Sequence, residues 1–219
     1  MSLTETASIS LSAPDHFFVG GAWVKPSSAA MIDVINASTE DVMFQVAEAK
    51  AEDMARAVGA AREAFDHGPW PHLSHAERAD YLRKIASALE ERSLEISEIW
   101  SGQMGVLHSM AKAGGAGFGN PFRTYAKLAD DFDFEERHPP TGGGKVGLLV
   151  REPVGVVGAI IPWNGPIGLI AHKVAPALLA GCTVILKASP DAPGEAYVFA
   201  EIAEAIGIPP GVINVVTAD

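Results

Sequence analysis

A single cysteine, Cys182, is the only thiol in 219 residues. No disulfide framework can form within the chain, and a reducing compartment, the cytoplasm, is the expected setting. Basic residues are scarce as well: 16 Lys and Arg stand against 27 Asp and Glu, a formal charge of −11. Nucleic-acid binding draws on Lys and Arg that displace counterions from phosphates, so no nucleic-acid partner is expected. A small anionic cofactor, held by a few local groups, stays open. No apolar run approaches the roughly 20 residues that a membrane helix needs. The opening "MSLTETASISLSAPDH" lacks the basic and apolar regions of a signal peptide. There are no internal repeats and no low-complexity tracts. What the chain does have is 48% hydrophobic residues, enough for one substantial core.

Along the chain, residues 1–15 read as a loose arm. "FFVGGAW" signals a hairpin about Gly20-Gly21, and "MIDVINASTEDVMFQVA" offers two short strands about a turn. From Ala51 the period becomes helical, with Met54, Val58, Ala61 and Phe65 on one face as far as Gly68-Pro69. Ser74 and Glu77 have capping-box spacing ahead of Leu82, Ile85 and Leu89. A third helix is expected over Leu94–Met104. "GGAGFGNPF" then breaks the pattern before a polar helix over Arg123–Asp133. "RHPPTGGGKVGLLV" is the sharpest composition shift and leads into a strand over Val146–Val150. From Val154 strands and helices alternate: strand to Ile161, helix Pro166–Ala180, strand Thr183–Lys187, helix Pro193–Ile206, strand Val212–Val216. That alternation predicts a parallel sheet with right-handed crossovers, an α/β Rossmann-like fold. Three regions result: a helical and strand part (1–134), an extended β arm (135–153) and a βαβαβ segment (154–219).

Open parallel sheets bind ligands outside the carboxyl ends of their strands. "IIPWNGP", residues 160–166, falls at the end of the first of these strands. Its prolines restrict the backbone about Trp163 and Asn164. Asn164 offers an amide donor for a developing oxyanion, and Trp163 a wall for a flat ring; the competing reading is a rigid turn that caps the next helix. Lys187 ends the apolar strand "CTVILK". It can meet a ribose there, or simply snorkel to solvent. Lys173 lies in the apolar "GLIAHKVAPALLAG". It reads either as a partly buried group with a proton-relay role or as an edge lysine that reaches water.

"EPVGVVGAIIPWN", "HKVAPALLAGCTVILK" and "GIPPGVINVV" together resemble the aldehyde dehydrogenase superfamily. The helical stretches "VAEAKAEDMARAVGAAREAFDHGPW" and "LSHAERADYLRKIASALEERSLEI" fit its N-terminal helices, so the resemblance runs from about Phe17 to Thr217. It implies an oxidoreductase that converts an aldehyde to a carboxylic acid with NAD or NADP, by way of a cysteine thiohemiacetal and hydride transfer. It implies that Asn164 helps form the oxyanion hole and that Lys187 contacts the adenosine ribose. Ile160, Ile161, Pro162 and Trp163 would line the cofactor site, together with Ser189 and Pro190, and Lys173 would belong to a proton path. Gly165, Gly168 and His172 would line the near side of a substrate tunnel. The arm at 135–153 would be half of an oligomerisation element, making the full-length protein a homo-oligomer, a dimer or tetramer.

Two departures from the family pattern matter. Pro190 stands where the family often has a ribose-binding glutamate, with Asp191 next to it, which leaves NAD against NADP open. The family's nucleophilic cysteine, its general-base glutamate and its glycine-rich pyrophosphate turn would all lie beyond Asp219, so the chain alone is expected to be inactive and to be part of something larger. The alternative is a non-catalytic nucleotide-binding or subunit-interaction module derived from the same family. An apolar final strand and an unpartnered arm strand are also expected to leave open edges. Other signals carry less. Cys182 starts a buried strand after Gly181, a poor place for a nucleophile. "GGAGFGN" puts Asn120 where a dinucleotide fingerprint has its third glycine. His67, His72 and His75 read as a surface loop rather than ligands, and "DDFDFEE" as a solvated face.

Overall fold

The computed structural model describes residues 9–115 and 117–219. Two of the expected hairpins come first. Phe17–Val19 (β1) and Ala22–Val24 (β2) pair antiparallel about Gly20-Gly21, both at positive φ, the two-residue turn whose twist suits flanking strands. Met31–Ile35 (β3) and Val42–Ala47 (β4) form a separate two-stranded sheet. Helices follow at Ala51–Asp66 (α1), His75–Glu91 (α2), Ser93–Met104 (α3), His108–Gly115 (α4) and Asn120–Asp131 (α5). Glu135–His138 (β5) pairs antiparallel with Gly147–Val150 (β6). The remainder is Val156–Ile160 (β7), Pro166–Ala180 (α6), Thr183–Ala188 (β8), Gly194–Ala205 (α7) and Ile213–Thr217 (β9).

The main sheet has the order β2-β1-β9-β8-β7. β7, β8 and β9 are parallel, as their alternation with helices requires. β8 is buried on both faces: Ile185 packs with Ala57 and Ala61 of α1, while Val184 and Leu186 join the larger core under α2, α5, α6 and α7. A sheet covered on both faces is the α/β arrangement that the alternation predicts.

Several expectations are corrected. The free edge foreseen at the last strand is taken by β1, through Phe18 opposite Val215 and Gly20 N–H donating to Asn214 Oδ1 at 2.9 Å. The partner that the arm strand lacked is β5. Of the loose arm, residues 1–8 lie outside the described residues; residues 9–15 are tied down, with Leu11 buried and Ser12 N–H donating to Glu201 Oε1 at 2.7 Å. The buried face of α1 is Asp53, Ala57, Ala61 and Ala64, while Val58 is exposed. Small residues win that face because the chain approaches so closely: a Cβ on Gly211 would stand 2.6 Å from Ala60 O and 2.8 Å from Ala64 Cβ. Helix α4 was not foreseen, because its eight residues are short and poor in apolar period. α5 starts at Asn120, three residues before the expected Arg123, with Pro in its first turn. His75 is helical and stacks on Phe134 with ring centroids 3.5 Å apart. The acidic stretch is thus partly anchored, and Arg151 closes it on Glu136 at 2.5 Å.

Candidate functional site

The parallel register decides what meets at the strand tips. Ile160 of β7 is paired with Lys187 of β8, which is paired with Val216 of β9. Just past the last pair, Ile161 N–H donates to Lys187 O at 2.9 Å. The Pro162–Gly165 turn and the root of the Lys187 side chain are therefore locked side by side. Ile161 is buried at 3% exposure and anchors the turn. Ile160 and Trp163 stand out at 64% and 53%, an apolar shelf beside the half-buried Lys187.

Asn164 is exposed, and its carboxamide has no hydrogen-bond partner within the protein among the described residues. The N-cap of α6 is Gly165, which has no side chain with which to cap the helix. The turn therefore does not use Asn164 to cap the helix, and the amide remains uncommitted. Pro166 and Ile167 then plunge into the core.

Lys173 corrects the partly buried reading. Helical spacing puts Gly168, His172 and Lys173 on the exposed side of α6, opposite Ile170, Ala171 and Val174. Gly168 and Pro176 dilute the polar stripe, so the apolar run concealed it. The Lys173 ammonium turns back to donate to Ile160 O, at the same strand tip that carries the turn. Among the described residues, a Cβ at Gly165 or Gly168 would meet no neighbour within 4 Å, so the surface immediately about these two glycines is open.

On the β8 side, Ser189 is buried at 7%, its Oγ 3.5 Å from Asp191 Oδ2, while Pro190 is half-buried and Asp191 exposed. The structure thus brings Ile160, Ile161, Pro162, Trp163, Asn164, Lys173 and Lys187 to one end of the sheet, with Ser189 and Pro190 in the adjoining turn. Cys182 lies at the opposite end. It is free, buried, and five residues before Lys187, roughly 16 Å away at the rise of an extended strand. Its N–H is bonded to Ala177 O at 2.9 Å.

The sequence reading passed over one group of chemical interest. Glu195, in the first turn of α7, is fully buried, and its carboxyl meets Gln103 Nε2 at 2.6 Å. An acid inside "GEAYVFAEIA" is visible in sequence. Only the fold shows that it points inward.

The pattern of the aldehyde dehydrogenase family matches residues 23–219. A geranial dehydrogenase of Castellaniella defragrans is 45% identical over 206 residues, covering 93% of this chain and 43% of that protein. The structure of an aldehyde dehydrogenase C mutant from Pseudomonas syringae, in complex with NAD+ and octanal, superposes with a TM-score of 0.89 at 35% identity, covering 98% of this chain and 43% of that one. A Mycobacterium tuberculosis aldehyde dehydrogenase complexed with NAD+ gives 0.88 at 38% identity, covering 93% and 42%. The chain thus spans 38–43% of the length of the curated relatives it matches.

Proposed function

The chain belongs to the aldehyde dehydrogenase family, and from that membership we propose that it forms the dinucleotide-binding and oxyanion-facing part of an enzyme that oxidises an aldehyde to a carboxylic acid with NAD or NADP. The observation that carries the reading is the Ile161–Lys187 hydrogen bond, which fixes the Pro-Trp-Asn turn and the strand-end lysine as one unit at the carboxyl ends of parallel strands.

The exposed shelf of Ile160 and Trp163, the ammonium of Lys187 and the open surface around them fit a dinucleotide. Lys187 would donate to ribose hydroxyls. Ile161 and Pro162 would hold the shelf, and Ser189 and Pro190 would border the ribose side. The cofactor, when bound, supplies the hydride acceptor. The uncommitted Asn164 amide would donate to the aldehyde oxygen as negative charge develops on it, an interaction that gains strength in the transition state. Lys173, tied to the Ile160 carbonyl, would hold a proton at its ammonium on the same side. Gly165, Gly168 and His172 would face the substrate. Pro190 offers the ribose no carboxylate, so the site would admit either NAD or NADP.

The chain would divide into residues 1–134, 135–153 and 154–219, with β1 and β2 lending two strands to the last region. The β5–β6 hairpin, with Leu148, Leu149 and Val150 about half exposed, would serve a homo-oligomer, and the lone buried thiol fits the cytoplasm. The specific test is titration of the purified chain with NAD+ and NADP+. Saturable binding of at least one is expected; no heat from either overturns the cofactor reading. The same sample, given aldehyde and dinucleotide, is expected to produce no reduced cofactor, because its single thiol is buried away from Asn164. Turnover that disappears in Cys182→Ala would refute this.

A further inference from the structure

Helix α7 begins with a tie that its own residues do not supply. Its N-cap, Pro193, has no capping side chain, and Gly194 N–H donates instead to Gln103 Oε1 of α3 at 2.8 Å. The same carboxamide donates from Nε2 to Glu195 Oε2 at 2.6 Å. The packing is tight: a Cβ at 194 would stand 2.6 Å from Ile99 Cγ2 and 3.2 Å from Phe44 Cζ. Glu195 Oε1 has no hydrogen-bond partner among the described residues. An ionised carboxylate held this way is costly. Desolvation, offset in part by its own backbone N–H and by Gln103, accordingly pushes the Glu195 carboxyl up to about 7.

Of the titratable groups on the surrounding elements, Glu98 of α3 is half-buried and Asp191, in the turn before α7, is exposed beside Ser189. Arg92 pairs with Glu95 and Glu201, Glu204 accepts from Trp23 Nε1, and Tyr197 donates to His16 O. Arg78 of α2 is held by the carbonyls of Leu73 and Leu179. His172 and Lys173 lie on the exposed side of α6 and Lys187 at the tip of β8. Among the described residues only Gln103 bonds the Glu195 carboxyl from another element.

Gly194 directly follows the 189–193 turn, which carries Ser189 and Pro190 away from Lys187. We propose that Gln103 and Glu195 are positioning residues, a buried clamp that holds this turn in place, so that dinucleotide affinity is high while Glu195 is neutral and falls when it ionises. The inference rests on the cofactor reading above. An ionised Glu195 can recover solvation only by admitting water at the first turn of α7, and that displaces the turn attached to it. The folded chain keeps this proton where the unfolded chain has already lost it, so the clamp's contribution to stability is complete below the ordinary carboxylate range and is lost as pH rises through about 7.

The test measures dinucleotide affinity and hydrogen exchange at the Gly194 amide from about pH 6 to about pH 8, across the titration, for the wild-type chain, Glu195→Gln and Lys187→Ala. Wild type is expected to lose affinity several-fold, and Gly194 protection beyond the intrinsic pH dependence of exchange. Glu195→Gln, an isostere of the neutral acid, is expected to hold both flat. Lys187→Ala is expected to bind more weakly at every pH with the same slope. Equal slopes in wild type and Glu195→Gln overturn the proposal. Protection that follows Glu195 while affinity does not overturns the link to the turn. No dinucleotide binding at any pH counts against the cofactor reading, and exchange then decides the clamp alone. Should Glu195→Gln fail to fold, Gln103→Met removes both hydrogen bonds and is expected to lose Gly194 protection already at about pH 6; unchanged protection overturns the clamp.

Discussion

Asn164 and Lys187 differ in how firmly the protein holds them, and the difference makes their roles separable. Asn164 is exposed and has no hydrogen-bond partner among the described residues, so Asn164→Ala is expected to change unfolding free energy by no more than about 0.5 kcal/mol. A capping residue would cost about 1 kcal/mol, and a urea titration that found such a loss would restore the rigid-turn reading. Lys187 is half-buried at a strand tip. If it donates to a ribose, Lys187→Ala is expected to weaken dinucleotide binding by about 1.5–3 kcal/mol for each charge-assisted hydrogen bond lost. Calorimetry that returned the wild-type affinity would leave Lys187 as a snorkelling lysine.

Among the elements, α2 was legible down to its first hydrogen bonds. Ser74 N–H donates to Glu77 Oε2 at 2.7 Å and Glu77 N–H to Ser74 Oγ at 3.2 Å, the reciprocal pair that the spacing predicts. Ser74→Ala is expected to cost about 1 kcal/mol in chemical denaturation, and a loss near zero would mean that the N-terminus of α2 is held by packing alone. The orientation of α1 was not legible, because alanines contribute weakly to an apolar period although they are what a close helix–sheet approach selects. The β5–β6 hairpin leaves Val146, Leu148, Leu149 and Val150 about half exposed. If it joins protomers, Leu148→Asp with Leu149→Asp is expected to shift an assembled species to monomer by light scattering; an unchanged mass rules the hairpin out as the joint.

The whole molecule is organised by a contact between its ends. β1 pairs with β9 nearly two hundred residues away, and Phe17 and Phe18 enter opposite faces of the sheet, Phe17 with Ala57, Ala61 and Val216, Phe18 with the larger core. Phe18 is 1% exposed. Phe18→Ala is expected to cost about 3–5 kcal/mol and to uncover an apolar strand edge, with aggregation following. Unaltered stability and solubility would show that the hairpin is dispensable to the sheet.

Local patterns alone determined the β7-α6-β8-α7-β9 alternation, the two-glycine hairpin, the Ser74 cap and the turn that ends β7, since each depends on residues close in the chain. The family resemblance came from the same runs. Tertiary structure decided everything that depends on distant partners: which strand covers the edge of β9, which face of α1 turns inward, and that Lys173 reaches Ile160 rather than the core. It also decided that Glu195 points into the protein against Gln103, some ninety residues earlier. A buried acid and an exposed one are written with the same letter, and only the packing around it sets the cost of its charge.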